Sequence, residues 1–509
     1  MSEWQAPHGD LEELTISDLQ AAMESGQRTS RQLVEAYVER IQALDASGPT
    51  LRAVIELNPD ALAIAEALDH ERTERGPRGP LHGIPILLKD NIDTADNMET
   101  TAGSLALIGA KRAQDAFVAA RLREAGVVLL GKANMSEWAN FRSTHSSSGW
   151  SARGGQALNP YALDRTPCGS SSGSATAVAA NLCAASVGTE TDGSILCPAS
   201  INGVVGIKPT VGLTSRAGVV PISHSQDTVG PFARTVADAA ILLGALAGED
   251  ARDPATQARA GQTHADYRQY LNANALRGAR IGIPREVHTG FSEKTDAVFA
   301  TVVETLQALG AIVVDPANLP SSKEMRTSEA ELTVLLYEFK ADLNAYLAAL
   351  GPDAQAHTLE ELIAFNREHA AQEMPYFGQE LFEMAQEKGP LTDEEYLKAR
   401  AECLRLARDE GVDVVMRQHN LDALCMPTGE PAWKIDLIDG DHSMGGASQP
   451  AALAGYPAIS VPAGYTFGLP LGVTFMGQAW SEPKLIGFAY AFEQATKVRR
   501  GPTYPAHVP

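Results

Sequence analysis

Three stretches of this chain carry residue types that can cleave an acyl bond. The apolar run Ile84-Pro-Ile-Leu-Leu88 ends in Lys89 and Asp90, and the loop Cys168-Gly-Ser-Ser-Ser-Gly-Ser174 is small and hydroxylic throughout. The third, Gly188-Thr-Glu-Thr-Asp-Gly-Ser-Ile-Leu-Cys-Pro198, sets the hydroxyl of Ser194 after a tight turn at Gly193. A serine becomes a nucleophile when a neighbouring group takes its proton. Lysine can be that group only when neutral, so a pKa near 10.4 must fall by about two or three units, which desolvation at the end of a buried strand can supply. A turn such as Asp192-Gly193-Ser194 can aim several backbone N–H groups at one point, as an oxyanion requires.

Each stretch also has a plainer reading. A Gly/Ser run by itself can be a flexible linker, but this one is followed by the helix-forming Ala175-Thr-Ala-Val-Ala-Ala180 and preceded by a proline-bounded loop. It is no phosphate loop, because that pattern needs a lysine absent here. Gly169 to Gly173 matches G-x-S-x-G with Ser171 as nucleophile, yet that elbow demands a strand just before it, and Asn159-Pro-Tyr-Ala-Leu-Asp-Arg-Thr-Pro167 reads as loop. The turn at Ser194 alone could be an ordinary strand-to-helix turn. Lys208, within Gly-Ile-Lys-Pro, is a rival base read as structural. His82 and His224 are the candidate imidazole bases; neither has a carboxylate close in sequence to complete a Ser–His–Asp arrangement, and both read as packing or pocket-lining residues.

The elements that must position these groups follow from periodicity. Ile16, Leu19 and Met23, then Leu33, Val34, Tyr37 and Ile41 after a capping box at Thr29 to Gln32, predict two lead-in helices between Thr15 and Leu44. The run before Lys89 predicts a strand with the lysine at its end, behind the Gly/Pro-punctuated Arg75 to Pro80. A helix over Ala116 to Glu124, a strand at Val127 to Leu130, a helix over Ala175 to Leu182 and a strand at Ala184 to Val187 set an alternation that predicts a mixed α/β sheet covered by helices on both faces. From about Gly248 to Glu410 the pattern turns helical and charged, an insertion expected to roof the site. Strands at Leu424 to Pro427, Pro457 to Pro462 and Leu469 to Phe475, and a helix from Pro483 to Val498, return the chain to the sheet. The expected organisation is one domain over 1–509, divided into a helical lead-in (1–75), a core holding the reactive residues (76–247), the insertion (248–410) and the return (411–509).

Composition narrows the class. The 509 residues are 44% hydrophobic and 20% charged, and none of the apolar runs approaches the length of a membrane span. A net charge of −22 repels nucleic acid and anionic lipid, so neither is an expected partner. The opening residues lack the charge and apolar run of a secretory signal, which predicts a cytoplasmic location. The five cysteines, Cys168, Cys183, Cys197, Cys403 and Cys425, form no C-x-x-C pair and read as reduced thiols. No cofactor or metal is expected.

Taken together and in this order, these segments resemble the amidase signature family. The resemblance extends from the lead-in helices through Gly83-Ile-Pro-Ile-Leu-Leu-Lys-Asp-Asn91, Gly131-Lys-Ala-Asn134, the Ser-rich loop, Gly203-Val-Val-Gly-Ile-Lys-Pro209 and Asp227-Thr-Val-Gly-Pro-Phe-Ala-Arg-Thr235 to Ala454-Gly-Tyr-Pro-Ala-Ile-Ser-Val-Pro462. It implies the amidase signature fold and a Ser–Ser–Lys triad with Lys89 as base, Ser170 as bridging serine behind a cis Gly169–Ser170 peptide, and Ser194 as the acylated serine. It places the oxyanion hole on the N–H groups of Thr191, Asp192, Gly193 and Ser194. Ala139, Ser143, Ser171, Cys197 and Trp433 are the candidate pocket residues.

Two motifs depart from the commonest family pattern: Cys168-Gly-Ser-Ser-Ser-Gly-Ser174 replaces G-G-S-S-G-G-S, and Glu190-Thr-Asp-Gly-Ser194 replaces D-x-G-G-S. Asp192 and Leu196-Cys197 therefore alter the pocket floor. Thr-Glu-Thr-Asp-Gly-Ser-Ile, His224-Ser-Gln-Asp-Thr228 and Pro431-Ala-Trp-Lys-Ile-Asp436 resemble the branch of bacterial peptide amidases, which implies deamidation of C-terminal peptide amides or related small amides. Loops near Ser146 to Gly155 and Trp433 could instead admit an aryl or alkyl amide. The competing readings are the glutaminase subunit of a tRNA-dependent amidotransferase and a non-catalytic binding protein that kept the fold.

Overall fold

The computed structural model describes residues 7–259 and 261–508. Thr15 and Thr29 each accept a hydrogen bond from the N–H three residues on, while Asp18 and Gln32 accept one from the cap's own N–H. These two capping boxes open the helices Ile16–Glu24 and Ser30–Leu44, whose buried faces carry the apolar residues that the helical period selected.

In chain order the strands are β1 (Val54–Leu57), β2 (Pro85–Lys89), β3 (Val128–Ala133), β4 (Trp150–Ser151), β5 (Gly155–Gln156), β6 (Ala185–Glu190), β7 (Val205–Lys208), β8 (Thr228–Ala233), β9 (Arg280–Gly282), β10 (Ile312–Val314), β11 (Ala423–Pro427), β12 (Ala458–Thr466) and β13 (Leu469–Met476). β4 and β5 make a small hairpin. The other 11 form one mixed sheet in the order β1-β3-β2-β6-β8-β7-β12-β13-β11-β9-β10. β2 runs parallel to both β3 and β6, whereas β8, β7, β12 and β13 follow β6 as antiparallel neighbours. Because Leu88 pairs with Val187 in the parallel register, Lys89 and the Thr189–Glu190 end of β6 reach the same sheet edge. The carboxyl ends of parallel strands are where α/β sheets hold ligands.

The segment over 248–410 is mostly helical, as its periodicity predicted, but it also supplies β9 and β10, which extend the sheet beyond β11. Each has three residues, too few for a period to show, and the pairing of β9 with β11 and of β10 with β9 is a tertiary matter. The helix Ala330–Ala348 and its neighbours Leu359–Glu368 and Glu380–Gln386 bury Leu336, Phe339, Leu343, Leu362 and Phe382 against Trp138, Phe141 and Ile222 of the core, which fastens the insertion beside the reactive loops. Among the described residues no helix is long and apolar enough to cross a membrane.

Candidate active site

Lys89 ends β2 and is fully buried. Its Nζ lies 2.7 Å from Ser170 Oγ and 2.8 Å from Thr189 Oγ1, and donates to the Thr189 carbonyl at 3.3 Å. Burial lowers its pKa from 10.5 to about 7, although the nearby Asp227 and Glu190 charges oppose the shift. The amine can therefore be neutral near pH 7 while held against a serine hydroxyl.

Ser170 follows a cis Gly169–Ser170 peptide, as the family resemblance implied. The loop before it has no regular strand, which removes the elbow reading of Ser171. Ser171 instead precedes the helix Ser172–Ala179, donates from Oγ to the Thr189 carbonyl at 2.9 Å and gives its N–H to the Ser194 carbonyl at 3.3 Å. That last bond ties the two serine loops together. The start of that helix packs against Ala53 and Asn134 because Gly173 has no side chain; a Cβ there would stand 2.1 Å from the Ala53 carbonyl oxygen.

Ser194 follows Gly193, whose φ of 78° suits glycine. Glu190 Oε2 accepts the N–H groups of Ile195 (2.6 Å) and Leu196 (2.9 Å), so the carboxylate secures the chain just past Ser194. Among the described residues, the N–H groups of Thr191, Asp192, Gly193 and Ser194 donate to no protein acceptor. Thr191 Oγ1 donates to Asp227 Oδ1 at 2.6 Å, and Asp227 Oδ2 accepts from the N–H groups of Ile222 and Ser223, each at 2.9 Å. Asp227 and Glu190 thus brace the turn from two sides. Thr189, Asn91 (whose Nδ2 donates to Thr189 Oγ1 at 3.0 Å), Asp227 and Glu190 were not singled out by sequence reasoning. Only their positions inside conspicuous motifs could have marked them.

A cavity of about 400 Å³ opens beside the turn, floored by Gly169, Asp192, Gly193 and Leu196 and walled by Trp433 and Glu430. The insertion contributes His288, Met325 and Arg326. Of the expected pocket residues, Cys197 and Trp433 line this cavity. The other three do not. Ala139 faces small side cavities beside Val220 and Ile222, Ser143 donates to Glu380 Oε1 at 2.8 Å, and Ser171 is buried in the bonds described above. Trp433 is oriented by Asp441, which accepts its Nε1–H at 3.0 Å and also accepts from Ser148.

The reading of all five cysteines as reduced thiols is overturned at two of them. Cys168 and Cys197 form a disulfide with Cα atoms 6.1 Å apart, joining the loop before Ser170 to the helix after Ser194. Their separation of 29 residues resembles no recognisable framework, and only the docking of the two loops brings the sulfurs together. Cys183, Cys403 and Cys425 are free and buried.

Lys208 is buried with its Nζ donating to the carbonyls of Tyr456 (2.7 Å) and Pro209 (3.3 Å), a structural bond to the neighbouring chain segment. His82 is bonded to the Leu68 carbonyl and the Arg78 N–H, away from the cavity. His224 does have carboxylate partners, but remote ones: Nδ1 lies 2.8 Å from Asp342 and Nε2 3.3 Å from Glu338, both on the helix Ala330–Ala348. The three side chains could each offer a ligand atom to an ion. However, both ring nitrogens already face carboxylates, and Glu338 accepts from Ser223, Ser225 and Tyr396. The cluster is a hydrogen-bonded clasp between core and insertion.

Comparison with known proteins agrees with this geometry. The native peptide amidase from Stenotrophomonas maltophilia is 53% identical, superposes with a TM-score of 0.91, and the match covers 96% of this chain and 98% of that one. A protein of Arabidopsis thaliana described as a probable amidase is 46% identical over 505 residues, 97% of this chain and 92% of its own. A glutamyl-tRNA(Gln) amidotransferase component from Chloroflexus aurantiacus is 36% identical over 96% of this chain and 98% of its own. The sequence model of the amidase family matches residues 32–486. With that match and these relatives along nearly its whole length, the chain belongs to the amidase family and is a hydrolase of carboxylic amide C–N bonds.

Proposed function

We propose that this amidase releases ammonia from C-terminal peptide amides or closely related small carboxamides, with Ser194 as nucleophile, Ser170 as proton relay and Lys89 as base. The observation that carries the substrate reading is the cavity: it abuts Gly169 and Gly193, neighbours of the two serines, and about 400 Å³ accommodates a residue or two of a peptide. The 53% identity to a peptide amidase supports the same reading.

Neutral Lys89 accepts the Ser170 hydroxyl proton as Ser170 takes that of Ser194, and Ser194 Oγ bonds to the amide carbon. The developing oxyanion is received by the N–H groups of Thr191, Asp192, Gly193 and Ser194, which among the described residues donate to no protein acceptor. The proton returns through Ser170 to the amide nitrogen, the C–N bond breaks and ammonia leaves. Water then attacks the acyl-enzyme by the same proton route, freeing the acid and Ser194.

Ammonia release should be measured on peptide amides, aryl amides, short aliphatic amides and glutamine, using the isolated chain. The highest kcat/KM is expected on peptide amides, with Ser194→Ala inactive on all of them and unlabelled by a fluorophosphonate. A chain inactive alone but active on glutamine with a partner protein would replace this reading with the amidotransferase one.

A further inference from the structure

We propose that Asp192 and Glu331 hold one proton between their carboxyl groups, and that Glu331, reaching from the insertion, is thereby a positioning residue for the turn that carries Ser194. The proposal rests on the assignment of that turn made above.

Asp192 is where this chain departs from glycine in the family pattern, and its side chain lines the cavity. Its carboxyl group meets that of Glu331 and the hydroxyl of Ser448. Glu331 lies in the first turn of the helix Ala330–Ala348. Both of its oxygens are already acceptors: Oε1 from Gln226 Nε2 at 3.0 Å and Oε2 from Gln449 Nε2 at 2.9 Å. Asp192 Oδ1, by contrast, is buried and among the described residues receives no hydrogen bond. Gln226 Nε2 also reaches the Thr191 carbonyl at 3.5 Å, and a Cβ on Gly193 would stand 3.1 Å from Ser448 Oγ. The insertion helix, the loop before β8 and the segment Ser448–Gln449 therefore converge on the reactive turn around these two acids.

Two partly buried carboxyl groups in contact cannot both ionise without a penalty, so one proton stays with the pair and supplies the donor that Asp192 lacks. Burial, reinforced by the Asp192 charge, pushes Glu331 up to about 8. The other ionisable groups facing the pair are Lys208 on β7, Glu190 at the end of β6 and Cys403 on the helix Glu394–Leu404. Lys208 is directed at the carbonyls of Tyr456 and Pro209, so it favours ionisation through space without replacing the missing donor. Removing the shared proton places a second negative charge behind N–H groups that must receive an oxyanion, which weakens the transition state.

The test is the pH dependence of kcat/KM between pH 6 and 10 on whichever uncharged amide the enzyme turns over best, with retained activity checked by return to pH 7.5. Wild type is expected to lose about tenfold per pH unit above the ionisation of the pair. In Glu331→Gln the amide N–H replaces the proton, so its rate should hold to pH 10 within about twofold. Glu331→Ala should lower kcat at least tenfold at pH 7.5 with a smaller change in KM. Glu331→Gln retaining the wild-type alkaline fall would overturn the proposal, as would full kcat in a folded Glu331→Ala. Should Glu331→Ala not fold, Glu331→Gln decides alone. Ser194→Ala run beside them separates the two levels: its full activity would sink the site assignment, whereas its inactivity with an unchanged Glu331→Gln profile would sink only the acid pair.

Discussion

Replacing Lys89 by methionine removes the amine and keeps an unbranched side chain of similar reach, which separates the cost of burying a base from the benefit of having one. Burial takes this lysine from 10.5 to about 7. At ~1.4 kcal/mol per unit, the difference corresponds to about 5 kcal/mol. Between those two values the unfolded chain holds the proton and the folded chain does not. Lys89 therefore opposes folding most at or below pH 7, and the opposition fades by ~1.4 kcal/mol per pH unit as the pH rises toward 10.5. Against this, Lys89→Met loses the contacts of Nζ with Ser170 and Thr189, worth about 1–3 kcal/mol and nearly independent of pH. The variant should be about 2–4 kcal/mol more stable than wild type at pH 7, an advantage shrinking by roughly 3 kcal/mol at pH 9, while kcat falls by about 10²–10⁴. Denaturant unfolding followed by tryptophan fluorescence at both pH values, with ammonia release, measures all three quantities. A variant destabilised by the same amount at pH 7 and 9 would mean that Lys89 is a protonated structural group and that the base has been misassigned.

Three further outcomes are expected. The double variant Cys168→Ser/Cys197→Ser opens a loop spanning 29 residues and should lose about 3–4 kcal/mol of stability in denaturant unfolding, and a reductant should move wild type toward it without affecting the variant. At His224, burial works against the charge, but the bond to Asp342 and the charges of Glu338 and Asp342 outweigh it and raise the pKa. Its stabilisation is thus complete below its ordinary value of 6.5 and lost as the pH rises through the raised one, so the His224→Ala deficit in thermal midpoint should be visible at pH 5.5 and absent at pH 9. Because the ring is 44% exposed, that deficit should stay below about 1 kcal/mol. Gly193→Ala forces a Cβ onto a backbone at φ 78° and toward Ser448, and should cut kcat at least tenfold while shifting KM little.

The elements that position the site were legible because each is written locally. Thr29 announces its helix within three residues, and an apolar run ending in a charge marks β2 wherever it lies in a fold. Lys89, Ser170 and Ser194 could be selected because three unusual local contexts occur in a recognised order, and the structure brings Lys89 to Ser170 and joins the two serine loops. The pocket was read less well: Ala139, Ser143 and Ser171 are neighbours of the site in sequence whose side chains turn elsewhere, a choice made by the packing of Phe141, Glu380 and Thr189 around them.

The amino-acid sequence by itself determined the class of chemistry, the order of the elements and the candidate residues for acyl transfer. The tertiary structure alone decided which sulfurs join, which threonine shares Lys89, which carboxylates hold His224, and that Glu331 of the insertion meets Asp192. The physical reason is range. Capping, strand alternation and turn chemistry act over a few residues, but a hydrogen bond or a shared proton depends on distances of about 3 Å between atoms whose separation along the chain carries no information about their separation in space.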